Sequence, residues 1–169
     1  MLLSLDISTR STGYAILDHN GKVVTHNVIS PRNDSYLERA QEMAEQVRLL
    51  LHSYPIKWVI IEELKVLRNQ KTLVCLAITQ GVIIRELNDL AINFVGPSVW
   101  RKLFKLSGLK RAEAKKHAIS LCRRKGHDVI CDDDAEAILI GEYFYESTSS
   151  DIYKNLRSTR RATTKSRAK

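Results

Sequence analysis

Residues 2–8 are apolar on both faces except at Ser4 and Asp6. A strand without a polar face belongs inside a sheet, covered on both sides by other elements. Residues 58–61, Trp58-Val59-Ile60-Ile61, have the same character and run straight into Glu62-Glu63. An unpaired charge at such a place costs several kcal/mol, so an acid there needs a reason. Ligands of open α/β sheets gather at the carboxyl ends of strands, and Asp6 and Glu62 both lie at such ends.

The remaining pattern supplies the frame. After the turn-like Ser8-Thr9-Arg10-Ser11, residues 14–17 and 23–29 look like strands joined by His19-Asn20-Gly21, and Asn-Gly is a strong hairpin signal. Residues 36–52 set Leu37, Ala40, Met43, Ala44, Val47, Leu50 and Leu51 at spacings of three and four, the stripe of a helix that Ser35 can cap. Pro55 ends that region. A basic loop over 65–71 precedes an apolar helix over 72–90, and residues 92–95 form a short strand closed by Gly96-Pro97. Ser98 then caps a short helix to 104, residues 111–124 form a basic amphipathic helix, and Asp132 or Asp133 opens a last helix to about 145. This order predicts an α/β fold, a mixed β-sheet flanked by helices, with an antiparallel hairpin edge and parallel strands beyond it.

At 169 residues, 44% hydrophobic and 27% charged, the chain suits one domain with a real core. Its apolar runs fall far short of the roughly 20 residues of a membrane span. The apolar N-terminus has no basic stretch before Asp6, so no signal peptide is read and a cytoplasmic location is expected, that of the host cell if the protein is phage-encoded. Cys75, Cys122 and Cys131 lack metal-ligand spacing and fit reduced thiols, and the five histidines show no ligand spacing. The net charge is +8, of which +6 lies beyond residue 150 in a stretch rich in Ser and Thr. Residues 1–147 are therefore read as the folded domain. Residues 148–169 are read as a basic, disordered tail that adds salt-sensitive attraction to phosphates.

Two further acids, Asp133 and Glu136, stand three apart at a helix start and share one face. Asp132-Asp133-Asp134 is also what capping and the helix dipole favour without any function, and one of Glu62-Glu63 can simply mark a strand's exit into solvent. Gathered together, Asp6, Glu62, Asp133 and Glu136 would concentrate negative charge that hard divalent cations relieve. Two such ions about 4 Å apart activate water and stabilise the attacking and leaving oxygens at phosphorus. The chemistry expected is phosphodiester hydrolysis with Mg²⁺ or Mn²⁺, two ions per site, and no nucleotide cofactor.

Three segments resemble the RuvC-like Holliday junction resolvases of the RNase H-like superfamily. They are Leu5-Asp6-Ile7-Ser8-Thr9-Arg10-Ser11-Thr12-Gly13-Tyr14, then Val59-Ile60-Ile61-Glu62-Glu63, then Asp133-Asp134-Ala135-Glu136-Ala137. The likeness runs over about residues 1–146, and a divergent phage-type member would suit the short chain and basic tail. It implies Asp6, Glu62, Asp133 and Glu136 as catalytic metal ligands, a homodimer, and paired nicks in branched DNA, four-way junctions above all. Asp132 or Asp134 in place of Asp133, and Glu63 in place of Glu62, remain open registers. The last acid is usually Asp in that family. Lys65 stands where bacterial members carry a base-stacking aromatic, which implies a broader range of branched substrates.

The family keeps lysines near its metals, which makes Lys102 and Lys116 catalytic candidates; Lys65, Arg68, Lys105, Lys110, Arg111 and Lys115 are candidates for DNA phosphates. A solvated helix face is the plain alternative for any of these cations. Rival readings are a non-catalytic protein for branched nucleic acid and an RNase H-fold nuclease acting on RNA. An ATP-using enzyme would need a second large domain that this length excludes.

Overall fold

The computed structural model describes residues 1–65, 69–88 and 90–147. Arg68 and the expected basic tail lie outside the described residues. Five strands, β1 (Leu2–Ile7), β2 (Thr12–Leu17), β3 (Val23–Ile29), β4 (Trp58–Glu62) and β5 (Ala91–Val95), form one sheet in the order β3-β2-β1-β4-β5. The β1–β2 and β2–β3 pairs are antiparallel, whereas β4 joins β1 and β5 joins β4 in parallel. The sheet is thus mixed, as the order of elements predicts. Central β1 buries Leu2, Leu3 and Leu5 completely, which its two-sided apolar pattern demands.

The helices are α1 (Tyr36–Ser53), α2 (Gln70–Glu86), α3 (Pro97–Leu103), α4 (Arg111–Arg124) and α5 (Asp132–Ser147). On one face Leu3, Leu5, Ile7, Val59 and Ile61 pack with Met43 and Val47 of α1 and Ile83 of α2. On the other, Leu2 and Ile60 pack with Trp100 of α3, Ala118 of α4 and Ile138 of α5. Side chains alternate along a strand, so Ser4 and Asp6 share the face of Leu2, and Glu62 shares that of Ile60. Period two alone turns both acids toward α5.

α5 is buried from Asp134 through Gly141. Two glycines let it lie that close: a Cβ on Gly13 would stand 2.0 Å from the Asp133 carbonyl oxygen, and one on Gly141 would stand 2.4 Å from Leu17 Cδ1. Ser4 Oγ donates to the Ala137 carbonyl at 2.7 Å and satisfies the only polar side chain between Leu3 and Leu5.

Several boundaries differ from expectation for local reasons. α3 starts at Pro97 with Gly96 as N-cap, because proline at the first helical position has no N–H to leave unpaired; Ser98 lies inside the helix. Ser35 occupies the N-cap of α1 but makes no side-chain cap bond. α2 stops at Glu86 rather than 90, with Asn88 at φ 42°, a left-handed conformation that Asn tolerates. In the β2–β3 hairpin, Asp18 Oδ1 accepts from the Asn20 and Lys22 amides at 2.8 and 3.0 Å, and Gly21 adopts φ 82°.

Candidate active site

The carboxyl ends of β1 and β4 and the first turn of α5 bring four acids together. Asp6 is half-buried on β1, opposite Gly13 across the β1–β2 pair, and Gly13 is also the seat of the Asp133 carbonyl. Ser11 Oγ, from the β1–β2 turn, donates to Asp133 Oδ2 at 2.5 Å. Glu62 Oε2 accepts from Trp100 Nε1 at 2.6 Å. Glu136, only 9% exposed, meets the Arg101 guanidinium at 3.0 Å. The same Arg101 Nη2 lies 3.7 Å from Glu62 Oε2.

The alternative registers have other partners. Asp134 is 1% exposed and faces away, accepting from His26 Nδ1 at 2.8 Å and from the Ile130 amide at 3.1 Å. Asp132 pairs with Lys115. Glu63 is exposed, beside Gly96. Asp133, Glu136 and Glu62 are therefore the acids grouped with Asp6.

Electrostatics mark the cluster. Burial first, then the charges of Glu136, Glu62 and Asp133, holds the Asp6 carboxyl well above the usual carboxylate range, with Arg101 opposing. Burial likewise raises Glu62 against the pull of Arg101, the Trp100 hydrogen bond and Lys65. Glu136 is raised by burial against the Arg101 charge. Arg101 opposes the charge of three of the four carboxylates, Asp6, Glu62 and Glu136, and the donors of all four are oxygens, which is the donor chemistry of hard divalent ions. Among the described residues, however, no three acidic, imidazole or thiol groups stand ready around one metal position. Arg101 lies between the two glutamates instead.

The expected cations fall into two groups. Lys65 acts on Glu62 from the end of β4, and Lys115 holds Asp132, a contact that raises its own pKa. Lys102, Lys105, Lys110, Arg111 and Lys116 are exposed, Lys105 at φ 58°, and Lys116 borders a groove on α4 with Ser120, Arg123 and Arg124. Arg101, not Lys102, reaches the glutamates. The signal was present in the sequence: Pro97, Trp100, Arg101 and Phe104 make a three-and-four stripe that puts Arg101 on the inner face of α3. The sequence pattern assigns no site role to Trp100, Ser11 or Arg39, all of which support the site. Arg39 is buried and donates to the carbonyls of Thr9 at 3.0 Å, Asn33 at 2.7 Å and Asp34 at 2.6 Å, which ties the turn carrying Ser11 to the β3–α1 loop.

A five-stranded mixed sheet with acids at the carboxyl ends of its central strands, closed by a helix bearing two more, defines an RNase H-like α/β protein. Residues 2–119 match the family of the crossover junction endodeoxyribonuclease RuvC, and the chain belongs to that family. The crossover junction endodeoxyribonuclease RuvC of Aliarcobacter butzleri (strain RM4018) is 34% identical over 85 residues, 48% of this chain and 55% of that protein. The chain thus spans about half the length of that relative. Among solved structures, Thermus thermophilus RuvC in complex with Holliday junction substrate superposes with a TM-score of 0.70 at 13% identity, over 88% of this chain and 96% of that one. Fowlpox virus resolvase in complex with Holliday junction DNA gives 0.56 at 16% identity, over 86% and 97%. At these identities the likeness carries the fold. The RuvC family is in general dependent on divalent metal ions, and no helix among the described residues is long and apolar enough to cross a membrane.

Proposed function

We propose that this chain is a divalent-metal-dependent endonuclease that resolves Holliday junctions and other branched DNA. The observation that carries the reading is the convergence of Asp6, Glu62, Asp133 and Glu136, from two strands and a helix, on one face of the sheet. These four would hold the ions, Mg²⁺ or Mn²⁺ and two in number, which when bound supply a Lewis acid at phosphorus and an acidified water. Ser11 donates to Asp133 and Trp100 to Glu62, which restricts the rotamers of both acids. Lys102 and Lys116 are proposed to meet the reacting strand, and Lys65, Arg68, Lys105, Lys110, Arg111 and Lys115 its neighbouring phosphates. Hydrolysis would leave a 5′-phosphate and a 3′-hydroxyl. Lys65 offers charge but no flat stacking surface, which favours a broad range of branches over one tightly read sequence.

A homodimer completes the reading, because resolving a four-way junction takes two cuts. α2 supports it: Val74 is 55% exposed, Ala77 is exposed, and a Cβ on Gly81 would meet nothing within 4 Å. These residues follow one another at three and four, a smooth stripe that a second copy can approach closely.

The test compares cleavage of matched four-way, three-way, flap and linear DNA, with an RNA–DNA hybrid alongside, by the wild type and Asp6→Asn. Mg²⁺-dependent cutting of branched DNA should fall by on the order of 10³ in the variant while junction binding survives. Cutting that persists in Asp6→Asn would refute the site, and cutting of the hybrid alone would transfer the activity to RNA.

A further inference from the structure

The Arg101 guanidinium sits between the two glutamates of the carboxylate group. Its Nη2 lies 3.0 Å from Glu136 Oε2 and 3.7 Å from Glu62 Oε2. Its carbon is 5.0 Å from the centre of the Trp100 ring, and the Trp100 Nε1 holds that same Glu62 oxygen. One oxygen of each glutamate, Oε2 in both, is therefore engaged by nitrogen donors that an ion would have to displace or avoid. The fit is imperfect, since Arg101 Nε is buried with no hydrogen-bond partner. An arginine held by two acids yet left with an orphan N–H has something to gain by moving.

We propose that Arg101 is a displaceable internal counter-cation that makes divalent-ion binding conditional on substrate. Without nucleic acid it neutralises Glu62 and Glu136 and keeps the acids from converging on an ion. A backbone phosphate entering the site draws the guanidinium away and releases both glutamates. The inference rests on the metal-dependent nuclease reading above.

Three physical points support the exchange. A guanidinium and a divalent cation repel each other, and in a buried site that repulsion is weakly screened, so both cannot share two glutamates at full strength. The planar guanidinium fork matches phosphate as well as it matches carboxylate, so the phosphate offers Arg101 an equivalent partner. At 30% exposure the side chain has a path outward, whereas Glu136 at 9% does not. The consequence is linkage: phosphate tightens the ion, and by reciprocity the ion tightens the DNA by the same factor. A site closed to ions until a strand is bound also carries no activated water to misdirect.

The test measures binding of Ca²⁺ by calorimetry to the full chain, alone and with a four-way junction, after subtracting binding to DNA alone. Wild type, Arg101→Met, Arg101→Lys and Asp6→Asn are compared, with Lys22→Met on the far hairpin as a control for lost charge. In the wild type the junction should tighten the ion by about tenfold or more. Arg101→Met should bind the ion about tenfold tighter without DNA and gain little from the junction. Arg101→Lys, too compact to bridge both glutamates, should fall between, and Lys22→Met should match the wild type. If the junction leaves wild-type ion affinity unchanged, or if a folded Arg101→Met or Arg101→Lys binds the ion no tighter than the wild type, the counter-cation is overturned while the nuclease reading stands. If no ion binding depends on Asp6 in either state, the metal reading fails and takes this inference with it.

Discussion

At the scale of single residues, Asp6 decides most about this site and has the least freedom. It sits on the central strand, and burial together with Glu136, Glu62 and Asp133 lifts its pKa well above the unfolded value of about 3.9. A carboxyl whose folded pKa is raised keeps its proton longer in the folded chain than in the unfolded one. Folding stability from this group is therefore greatest below about pH 4 and declines as pH rises from there through the raised value. Glu62 and Glu136 shift in the same direction, burial again being the main cause. In EDTA, Asp6→Asn should melt a few degrees above the wild type near pH 7, on the scale of roughly 2–4 °C per kcal/mol for a domain this size. The gap should close as pH falls toward 4, and added Mg²⁺ should raise the wild type alone. Parallel melting curves of the two proteins across pH 4 to 8 would contradict this. Asp6 was legible because an acid in a two-sided apolar strand is conspicuous. Arg101 is legible only through its spacing from Pro97, Trp100 and Phe104, while the family's lysines point one residue on, to Lys102. One residue is 100° around a helix, and buried Pro97 and Trp100 fix which way α3 faces.

The elements show why so much of the fold could be read while their contacts could not. Each strand and helix has its own period, and the boundaries that moved did so by a few residues where Pro97 and Asn88 punctuate the chain. The docking of α5 on β1 and β2 left no periodic trace. It depends on Gly13 and Gly141, on Ser4 reaching Ala137, and on His26 of β3 meeting Asp134 across 108 positions. Gly13 couples this docking to the chemistry, since it faces Asp6 across the β1–β2 pair and carries the Asp133 carbonyl against it. Backbone stands on both sides of that contact, so a methyl group can be admitted only by moving α5. Gly13→Ala should cost about 1–3 kcal/mol, the range of an overpacked core. It should also displace Asp133 and Glu136 together, so cleavage should fall more than the loss of folded protein explains. Urea melts read alongside junction-cleavage rates check both parts; a variant of full stability and full activity would mean that α5 does not bear on this glycine.

For the whole molecule the open relation is between one site and two cuts. Among the described residues the chain supplies one such carboxylate group, and the proposed substrate, a four-way junction, has two strands to be cut symmetrically. A two-fold dimer meets that need by presenting the same patch from both copies. Here the α2 stripe of Val74, Ala77 and Gly81 is the smooth apolar surface opposite the core contacts of Thr79, Gln80 and Ile83. Ala77 is exposed, so Ala77→Arg leaves the fold of one copy undisturbed but forces two like charges together where copies meet. Sedimentation should then show the mass of one chain, 19.3 kDa, where the wild type shows twice that. Single nicks with Mg²⁺ should continue, because Asp6, Glu62, Asp133 and Glu136 all belong to one chain. Paired, ligatable cuts across a junction should become rare, since the second cut would await a second encounter. A wild type that sediments as a monomer yet makes paired cuts would separate resolution from dimerisation, and an Ala77→Arg protein of unchanged mass would move the contact to another face.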